Sequence, residues 1–332
     1  MIQQLGALPA GNADAHAALR AAMTGEALHH AWLFTGPQGV GKASFARIAA
    51  MRMLAEAANP GTLPTGFDVP EDNRTRALIN AGSHPDYREL TRLPKDADKP
   101  EQDLARSITI AQVRALQPMF ATTPSMSPRR VVLIDSVDDL ERPGASNALL
   151  KNLEEPPAGT IFILISHSPG RLLPTIRSRC RRLRFDPLDD AMMAQVLRAQ
   201  LPEASGDEID ALVRAGDGSP GRALGYAGLD MAALDRAMAA IAGDGDRANA
   251  QRSKLSKALA LKAAQPRYEA FLDRVPSFIA EASADRTGDA LKTALDAYDA
   301  ARALAISARA LSLDQQATAY EMAGLVAKLA AR

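Results

Sequence analysis

The stretch FTGPQGVGKASFARIAA, residues 34–50, has the pattern of a nucleotide phosphate-binding loop. Gly36, Gly41 and Lys42 occupy the fixed positions of G-x-x-x-x-G-K-[S/T]. In that pattern glycines let backbone N–H groups approach phosphate, and the following helix begins with its positive dipole end towards the ligand. The segment therefore predicts a strand, a phosphate cradle and a helix, in that order.

The position after the lysine departs from the pattern. It normally carries a hydroxyl that holds the Mg²⁺ of the nucleotide. Here it is Ala43, and a hydroxyl follows one place later at Ser44. The candidate nucleotide contacts of the loop are Gly36, Pro37, Gly39, Val40, Gly41, Lys42, Ala43 and Ser44. We expect a degenerate site with weak or no nucleotide binding.

The flanks of the loop predict an α/β fold with a parallel sheet. The apolar run AWLFT precedes the loop, and residues 42–58 have helical periodicity with Phe45, Ile48, Ala49 and Met53 on one face. Three more strands are predicted within residues 129–137, 160–166 and 179–188, and helices over 13–23, 107–124 and 144–155. Strands that alternate with helices indicate a parallel sheet covered on both faces. Residues 59–105, rich in Pro, Gly and Asp, are predicted to be a long mobile loop.

A second departure follows the strand VVLID, which ends in Asp135. Phosphate-loop ATPases place a metal-binding aspartate at this point, and hydrolysing members follow it with a glutamate. Here Ser136 follows, and a serine is not a base at neutral pH. Asp138, Asp139 and Glu141 lie nearby without reproducing the spacing of that glutamate. Alternatively, Asp135 simply ends a core strand and caps the next segment, and both interpretations stay open.

Six arginines lie between residues 171 and 184, at positions 171, 177, 179, 181, 182 and 184. They indicate either a solvated strand edge or a patch that contacts DNA phosphates. A third interpretation concerns Arg179 in TIRSRC. An arginine on the turn before a strand can reach a neighbouring subunit's nucleotide and stabilise charge on the transferred phosphoryl group.

Composition excludes several classes of protein. The chain has 332 residues, is 47% hydrophobic and 23% charged, and has 39 basic and 39 acidic residues, which argues against a global nucleic-acid-binding field. One cysteine, Cys180, excludes a disulfide framework and a cysteine-rich zinc site, and we expect a packed thiol. The isolated histidines, His84 among them, are poor metal candidates. We see no signal peptide and no apolar run of about 20 residues, so a cytoplasmic location is expected.

Several stretches together resemble one family. They are LHHAWLFTGPQGVGKAS, SHPDYREL, NALLKNLEEPP, TIRSRCRRLRF and GSPGRAL, in matching order from about residue 10 to residue 226. They are similar to the delta-prime family of bacterial DNA polymerase III clamp-loader subunits, which are AAA+ proteins. Beyond residue 226 the resemblance is weaker.

The resemblance implies three domains: an AAA+ α/β domain over 1–186, a small helical lid over 187–231 and a helical collar over 232–332. It implies that Asp135 is the Walker B aspartate, that Ser166 and His167 lie near sensor 1, and that Arg222 is at or near sensor 2 in the nucleotide site. Arg179 matches the family's arginine finger. Many relatives carry a four-cysteine zinc module between residues 55 and 84, but this chain has no cysteine there, so no zinc is expected.

The expected function is therefore that of a non-hydrolysing clamp-loader subunit. Its implied partners are gamma/tau and delta subunits, with the sliding clamp and primer-template DNA reached through the complex. No independent ATPase is expected, although ATP or ADP can still bind weakly. The alternatives are an ATP-hydrolysing motor of the gamma/tau type and, in another class, a stand-alone nucleic-acid-binding module. Neutral charge and 4% aromatic content argue against the last.

Overall fold

A computed structural model describes residues 8–25, 28–96 and 104–330. The chain divides into two compact units, with the boundary between Leu188 and Asp189. The first unit contains the phosphate loop, and the second consists of helices. The predicted separation of the second part into a lid and a collar is not resolved by this division and stays a prediction.

The first unit is built on five parallel strands, which confirms the predicted α/β class. The strands are β1 Ala31–Thr35, β2 Tyr87–Thr91, β3 Arg130–Asp135, β4 Thr160–Ser166 and β5 Arg181–Arg184. Their order in the sheet is β2-β3-β4-β1-β5. All five strands point the same way, so the loop after β1 and the residue that ends β3 lie at the same edge of the sheet.

Helices cover both faces of this sheet. They are α1 Ala13–Thr24, α2 Lys42–Ala58, α3 Arg74–Asn80, α4 Ile110–Arg114, α5 Gln117–Phe120, α6 Gly144–Glu154 and α7 Pro174–Arg177. One core cluster packs α1 and α2 against one face, with Phe45 fully buried, and a second packs α4 and α6 against the other. The apolar row predicted for α2 is buried, together with most of that helix.

The prediction that residues 59–105 form one long loop is wrong in two places. Helix α3 begins after Asn73, whose side chain accepts hydrogen bonds from two backbone N–H groups of the first turn. Strand β2 pairs with β3 at the edge of the sheet. An edge strand is buried on only part of its surface, and YRELT therefore lacks the apolar run by which the central strands were found. Residues 97–103 of this segment lie outside the described residues.

The single helix predicted over 107–124 is two short helices, α4 and α5. Thr109 caps α4 in a capping box with Gln112. The break is explained by Pro118, which has no N–H to donate to the carbonyl of Arg114 four residues earlier. The two helices share one apolar face, because Val113 and Leu116 are buried and Phe120 packs against the same cluster.

The second unit is helical throughout its described part. Its helices are α8 Asp190–Gln200, α9 Gly206–Gly216, α10 Pro220–Gly225, α11 Met231–Asp244, α12 Ala250–Leu259, α13 Gln265–Ser283, α14 Gly288–Leu311 and α15 Gln315–Ala327. In α14 the buried face is a row of alanines, whereas Leu295 is half exposed. Among the described residues no helix has the length and apolar character to cross a membrane.

Candidate nucleotide site

The loop between β1 and α2 adopts backbone angles that favour glycine. The φ angles of Gly36, Gly39 and Gly41 are 146°, 85° and 98°. A Cβ at Gly36 would overlap the carbonyl oxygen of Phe185, and one at Gly41 would come within 2.8 Å of Pro9 Cβ. The loop therefore has the backbone shape of a phosphate cradle, which depends on glycine. Glycine is also needed at positions 36 and 41 because a side chain there would collide with neighbouring residues.

Lys42 is turned into this loop. Its Nζ donates to the carbonyl oxygens of Gly36 at 2.6 Å and Pro37 at 2.5 Å, and the residue is only 2% exposed. Burial lowers the pKa of Lys42 to about 8, although the carboxylates of Asp135 and Asp138 oppose that shift. The ammonium group that would contact phosphate is thus held by the loop's own carbonyls.

The position after Lys42 supplies no metal ligand. Ala43 is half-buried and packs against the core cluster that includes Phe45. Ser44, the displaced hydroxyl residue, is exposed. The glycines and Lys42 fit a phosphate group, but the residue set does not fit the hydroxyl-bound Mg²⁺ of a hydrolysing site.

Asp135, at the end of β3, faces a guanidinium. Arg47 Nη2 lies 3.8 Å from Asp135 Oδ2 and 2.6 Å from Glu89 Oε1, and Arg47 Nε donates to both Glu89 oxygens. Burial raises the pKa of Asp135, while Arg47 acts in the opposite direction. The carboxylate therefore belongs to an ion-pair network of α2, β2 and β3. Its role as a metal-binding aspartate stays a prediction.

Ser136 and its acidic neighbours make local contacts. Ser136 is buried, and its Oγ donates to Asp139 Oδ2 at 3.2 Å. Glu141 Oε2 accepts from the N–H of Ile110 at the start of α4. These acidic residues do not replace the glutamate that orients water in a hydrolysing site. The spacing in the sequence already indicated that they would not.

Asp138 has a role that the sequence analysis missed. Its carboxylate accepts from Ser166 Oγ at 3.0 Å, from the N–H of His167 at 2.5 Å and from that of Ser168 at 3.4 Å. It therefore fixes the end of β4, where the resemblance places sensor 1. Burial lowers the pKa of His167, and nearby Lys42 adds to the effect. Only the order of strands in the sheet, with β3 beside β4, brings these residues together.

Arg179 lies at the edge of the sheet where the strands begin, whereas the phosphate loop lies at the edge where they end. It precedes β5, and Arg181 of that parallel strand pairs with Trp32 near the start of β1. The loop begins beyond Thr35, which pairs with Arg184, so the strand length alone separates the two by about 10 Å. Arg179 is therefore not brought together with the chain's own nucleotide loop.

Four of the other five arginines of the run have separate side-chain contacts within the chain. Arg181 lies over the ring of Trp32, with 5.2 Å from Cζ to the ring centroid. Arg182 Nε donates to Thr35 Oγ1 at 3.1 Å, Arg184 Nε pairs with Asp186 at 2.6 Å, and Arg177 donates to the carbonyl of Pro169. β5 is an edge strand, which agrees with the interpretation of a solvated strand edge.

Arg222 belongs to the second unit. Its Nε donates to Tyr226 Oη at 3.3 Å, and that hydroxyl donates to Asp273 at 3.1 Å. With Arg302 and Arg309 it lines a cleft of about 420 Å³. A sensor 2 role for Arg222 stays a prediction.

His84 and Cys180, considered above for metal or thiol chemistry, both make contacts within the fold. His84 is buried, and its Nδ1 accepts from the N–H of Asp86. The Asp86 carboxylate in turn accepts from the N–H groups of Ser125 and Met126 at 2.8 Å each. Burial raises the pKa of the Cys180 thiol to about 12, as a packed thiol requires. Among the described residues, no three His, Cys, Asp or Glu side chains are grouped to hold a metal.

Residues 11–189 match the family model described as DNA polymerase III, delta subunit. The chain belongs to that family. The match covers more than half of the chain and coincides with the first compact unit, so the family resemblance drawn from the sequence is confirmed. The second unit lies almost entirely outside the matched residues.

The individual relatives are named as delta' subunits or as tau, another subunit of DNA polymerase III. The DNA polymerase III subunit delta' of Pseudomonas aeruginosa is 35% identical over 204 residues, which cover 61% of this chain and 57% of the relative. The delta' subunit of Bacillus subtilis is 36% identical over 161 residues, 48% of this chain and 43% of the relative. The tau subunit of Escherichia coli is 32% identical over 269 residues, 77% of this chain and 37% of the relative. The chain thus spans between about a third and somewhat more than half of these relatives.

Two solved structures resemble the chain more distantly. A gamma subunit-related DNA polymerase III protein from Thermotoga maritima is 14% identical, with TM-score 0.44, and covers 94% of this chain and 98% of its own. The RuvB protein of Thermotoga maritima is 12% identical, with TM-score 0.42, and covers 94% and 85%. These TM-scores are low, so the AAA+ α/β fold rests on the family match, the strand order and the phosphate loop.

Proposed function

We propose that this chain is a non-hydrolysing subunit of the DNA polymerase III clamp loader, which helps to place the sliding clamp on primed DNA. The observation that carries the proposal is the phosphate loop that keeps its glycines and Lys42 but has the half-buried Ala43 at the metal-ligand position. Ser136, bonded to Asp139, removes the second part of the hydrolytic apparatus. Two independent losses, one in the first turn of α2 and one just after β3, are more than one compensating change would repair.

The motor alternative has a specific observation in its favour, because tau subunits are among the relatives. That alternative requires a hydroxyl after Lys42 and an acidic residue after Asp135, and the chain has neither. A stand-alone nucleic-acid-binding module is less well supported. The net charge is zero, and Arg179, Arg181, Arg182 and Arg184 each have contacts within the chain.

The test is steady-state ATP hydrolysis by the purified chain, alone and then with its clamp-loader partners. We expect negligible turnover by the isolated chain, because the groups that hold Mg²⁺ and orient water are missing. Lys42→Ala is the control, since contaminating ATPase is unaffected by it. Turnover at the rate of ordinary AAA+ motors that disappears in Lys42→Ala would show that the chain is itself a motor.

The proposed contribution of the chain to catalysis is Arg179, acting on ATP held by the next subunit. What supports this is its place at the sheet edge away from the chain's own loop, with the side chain 35% exposed. A planar guanidinium with several donors suits a phosphoryl group whose charge is spread over three oxygens, so lysine should replace it poorly. Such a finger is worth roughly 10³–10⁵ in turnover at the site it serves.

The proposed partners are gamma/tau and delta subunits, with the sliding clamp and primer-template DNA engaged through the complex and in the cytoplasm. Weak binding of ATP or ADP to the loop is compatible with the proposal. Structural zinc is not part of it, and metal analysis of the purified chain tests that point directly: one equivalent of zinc per chain, lost on unfolding, would contradict it.

A further inference from the structure

Glu154, the last residue of α6, lies directly beside Arg179. The distance from Arg179 Nη2 to Glu154 Oε1 is 2.8 Å. The other terminal nitrogen, Nη1, donates to the carbonyl oxygen of Thr175 at 2.9 Å. A guanidinium is planar and rigid, so contacts on both terminal nitrogens fix the direction of its plane.

These two contacts leave donors available. A guanidinium has five N–H donors, and the contacts with Glu154 and Thr175 engage one on each terminal nitrogen. The Arg179 side chain is 35% exposed, so its remaining donors can reach a ligand outside the chain. Glu154 and Thr175 therefore hold the guanidinium, and its exposed part is open to a ligand.

The place of Glu154 in its helix is unfavourable for a carboxylate. The C-terminal end of an α-helix carries partial negative charge, and anions there are disfavoured. Glu154 does not serve as the cap, because Glu155 is the C-cap residue and bonds through its backbone N–H to the carbonyl of Lys151. Arg179 is the cation paired with this carboxylate, and Lys151 is the basic residue within the last turn of the helix itself.

We propose that Glu154 is a positioning residue for Arg179, which orients the guanidinium towards phosphate held by a neighbouring subunit. This inference rests on the proposed function of Arg179. An arginine that is already oriented loses less conformational freedom when it meets the phosphate, which is how pre-organised groups gain effect. Exposed ion pairs are weak, so the gain from Glu154 is small beside that from Arg179 itself.

The experiment is ATP hydrolysis by the reconstituted clamp loader, stimulated by sliding clamp and primed DNA, with substitutions in this chain only. Glu154→Gln keeps the shape of the side chain and removes its charge. We expect a fall of about three- to fivefold in the contribution of the served site, the scale of an exposed ion pair. The matched control is Glu155→Gln, one residue further on and also exposed, which should leave hydrolysis unchanged. In the Arg179→Ala background, Glu154→Gln should have no further effect.

The outcomes separate this inference from the proposal on which it rests. If a loader with Arg179→Ala assembles normally and hydrolyses ATP at the full rate, the finger role of Arg179 is wrong. The positioning role of Glu154 then fails as well. If Arg179→Ala lowers hydrolysis but Glu154→Gln leaves it unchanged or raises it, the finger stands and the positioning role fails. If Glu154→Gln lowers hydrolysis equally in the Arg179→Ala background, or lowers the melting temperature of the isolated chain, Glu154 acts through the fold and the positioning role also fails.

Discussion

Gly36 has a φ of 146°, and its Cα faces the carbonyl of Phe185, the residue that follows β5. The loop is thus packed against a neighbouring strand end at the point where a phosphate motif requires a glycine. The same holds at Gly41, where Pro9 occupies the space of a Cβ. In this chain the glycines serve the fold whether or not nucleotide binds.

Gly36→Ala should destabilise the chain by about 2–3 kcal/mol, because the added methyl group overlaps a backbone oxygen and φ is unfavourable for an L side chain. Urea unfolding followed by the fluorescence of Trp32, which is fully buried in β1, measures the change. Gly170→Ala is the control, since a Cβ there meets no atom within 4 Å. Equal stability of the two variants would show that the loop yields without cost.

At the scale of elements, α14 is held by small residues. Ala301 is fully buried on the face of α14 that packs in the second unit, whereas Leu295 is 50% exposed. Helices approach closely where alanines face them, and such interfaces do not accept larger side chains. In α14 the small residues therefore form the buried row, and the larger apolar side chain of Leu295 lies on the outer one.

Ala301→Leu should cost about 1–3 kcal/mol by overpacking, and Leu295→Ala should change stability by less than about 0.5 kcal/mol. One substitution adds volume on the buried face of α14, and the other removes volume on its exposed face. Each therefore serves as the control of the other. Hydrogen exchange of the amides of α13 and α14 reports the difference. A larger loss of protection in Leu295→Ala than in Ala301→Leu would mean that the buried face has been assigned wrongly.

At the scale of the molecule, the five histidines all precede residue 189. Four of them, His16, His30, His84 and His167, have a pKa below the usual range, in each case chiefly because burial disfavours the charged ring. The unfolded chain then binds protons that the folded first unit does not bind. The stability from these groups is complete above the unfolded pKa of about 6.5 and is lost as pH falls below it.

The first unit should therefore become less stable between about pH 7.5 and pH 5.5, by up to about 1.4 kcal/mol per pH unit for each such histidine. Trp32 fluorescence in urea reports this unit, and hydrogen exchange over residues 189–330 reports the second, which has no histidine. His16→Phe is a matched variant, because His16 stacks on Phe45 with 4.1 Å between ring centroids. It should reduce the pH dependence. An unfolding midpoint that is the same at both pH values would contradict the argument.

The sequence by itself determined the central part of this protein. Local patterns specify the strand, glycine loop and helix around Lys42, because apolar runs, glycine positions and helical spacing act over a few residues. The same patterns identified the buried strands β3 and β4 and the two departures at Ala43 and Ser136. Strand β2 was missed, since an edge strand needs no continuous apolar run, and Pro118 was not recognised as a helix break.

Only the tertiary structure decided which distant residues meet. Asp138 reaches the end of β4 because β3 and β4 are neighbours in the sheet, and Glu154 reaches Arg179 because α6 and α7 end at the same edge. The chain's own Lys42 and Arg179 lie at opposite edges for the same reason. Contacts of this kind depend on strand order and direction, which are set by packing of the whole sheet and leave no mark in the spacing of residues along the chain.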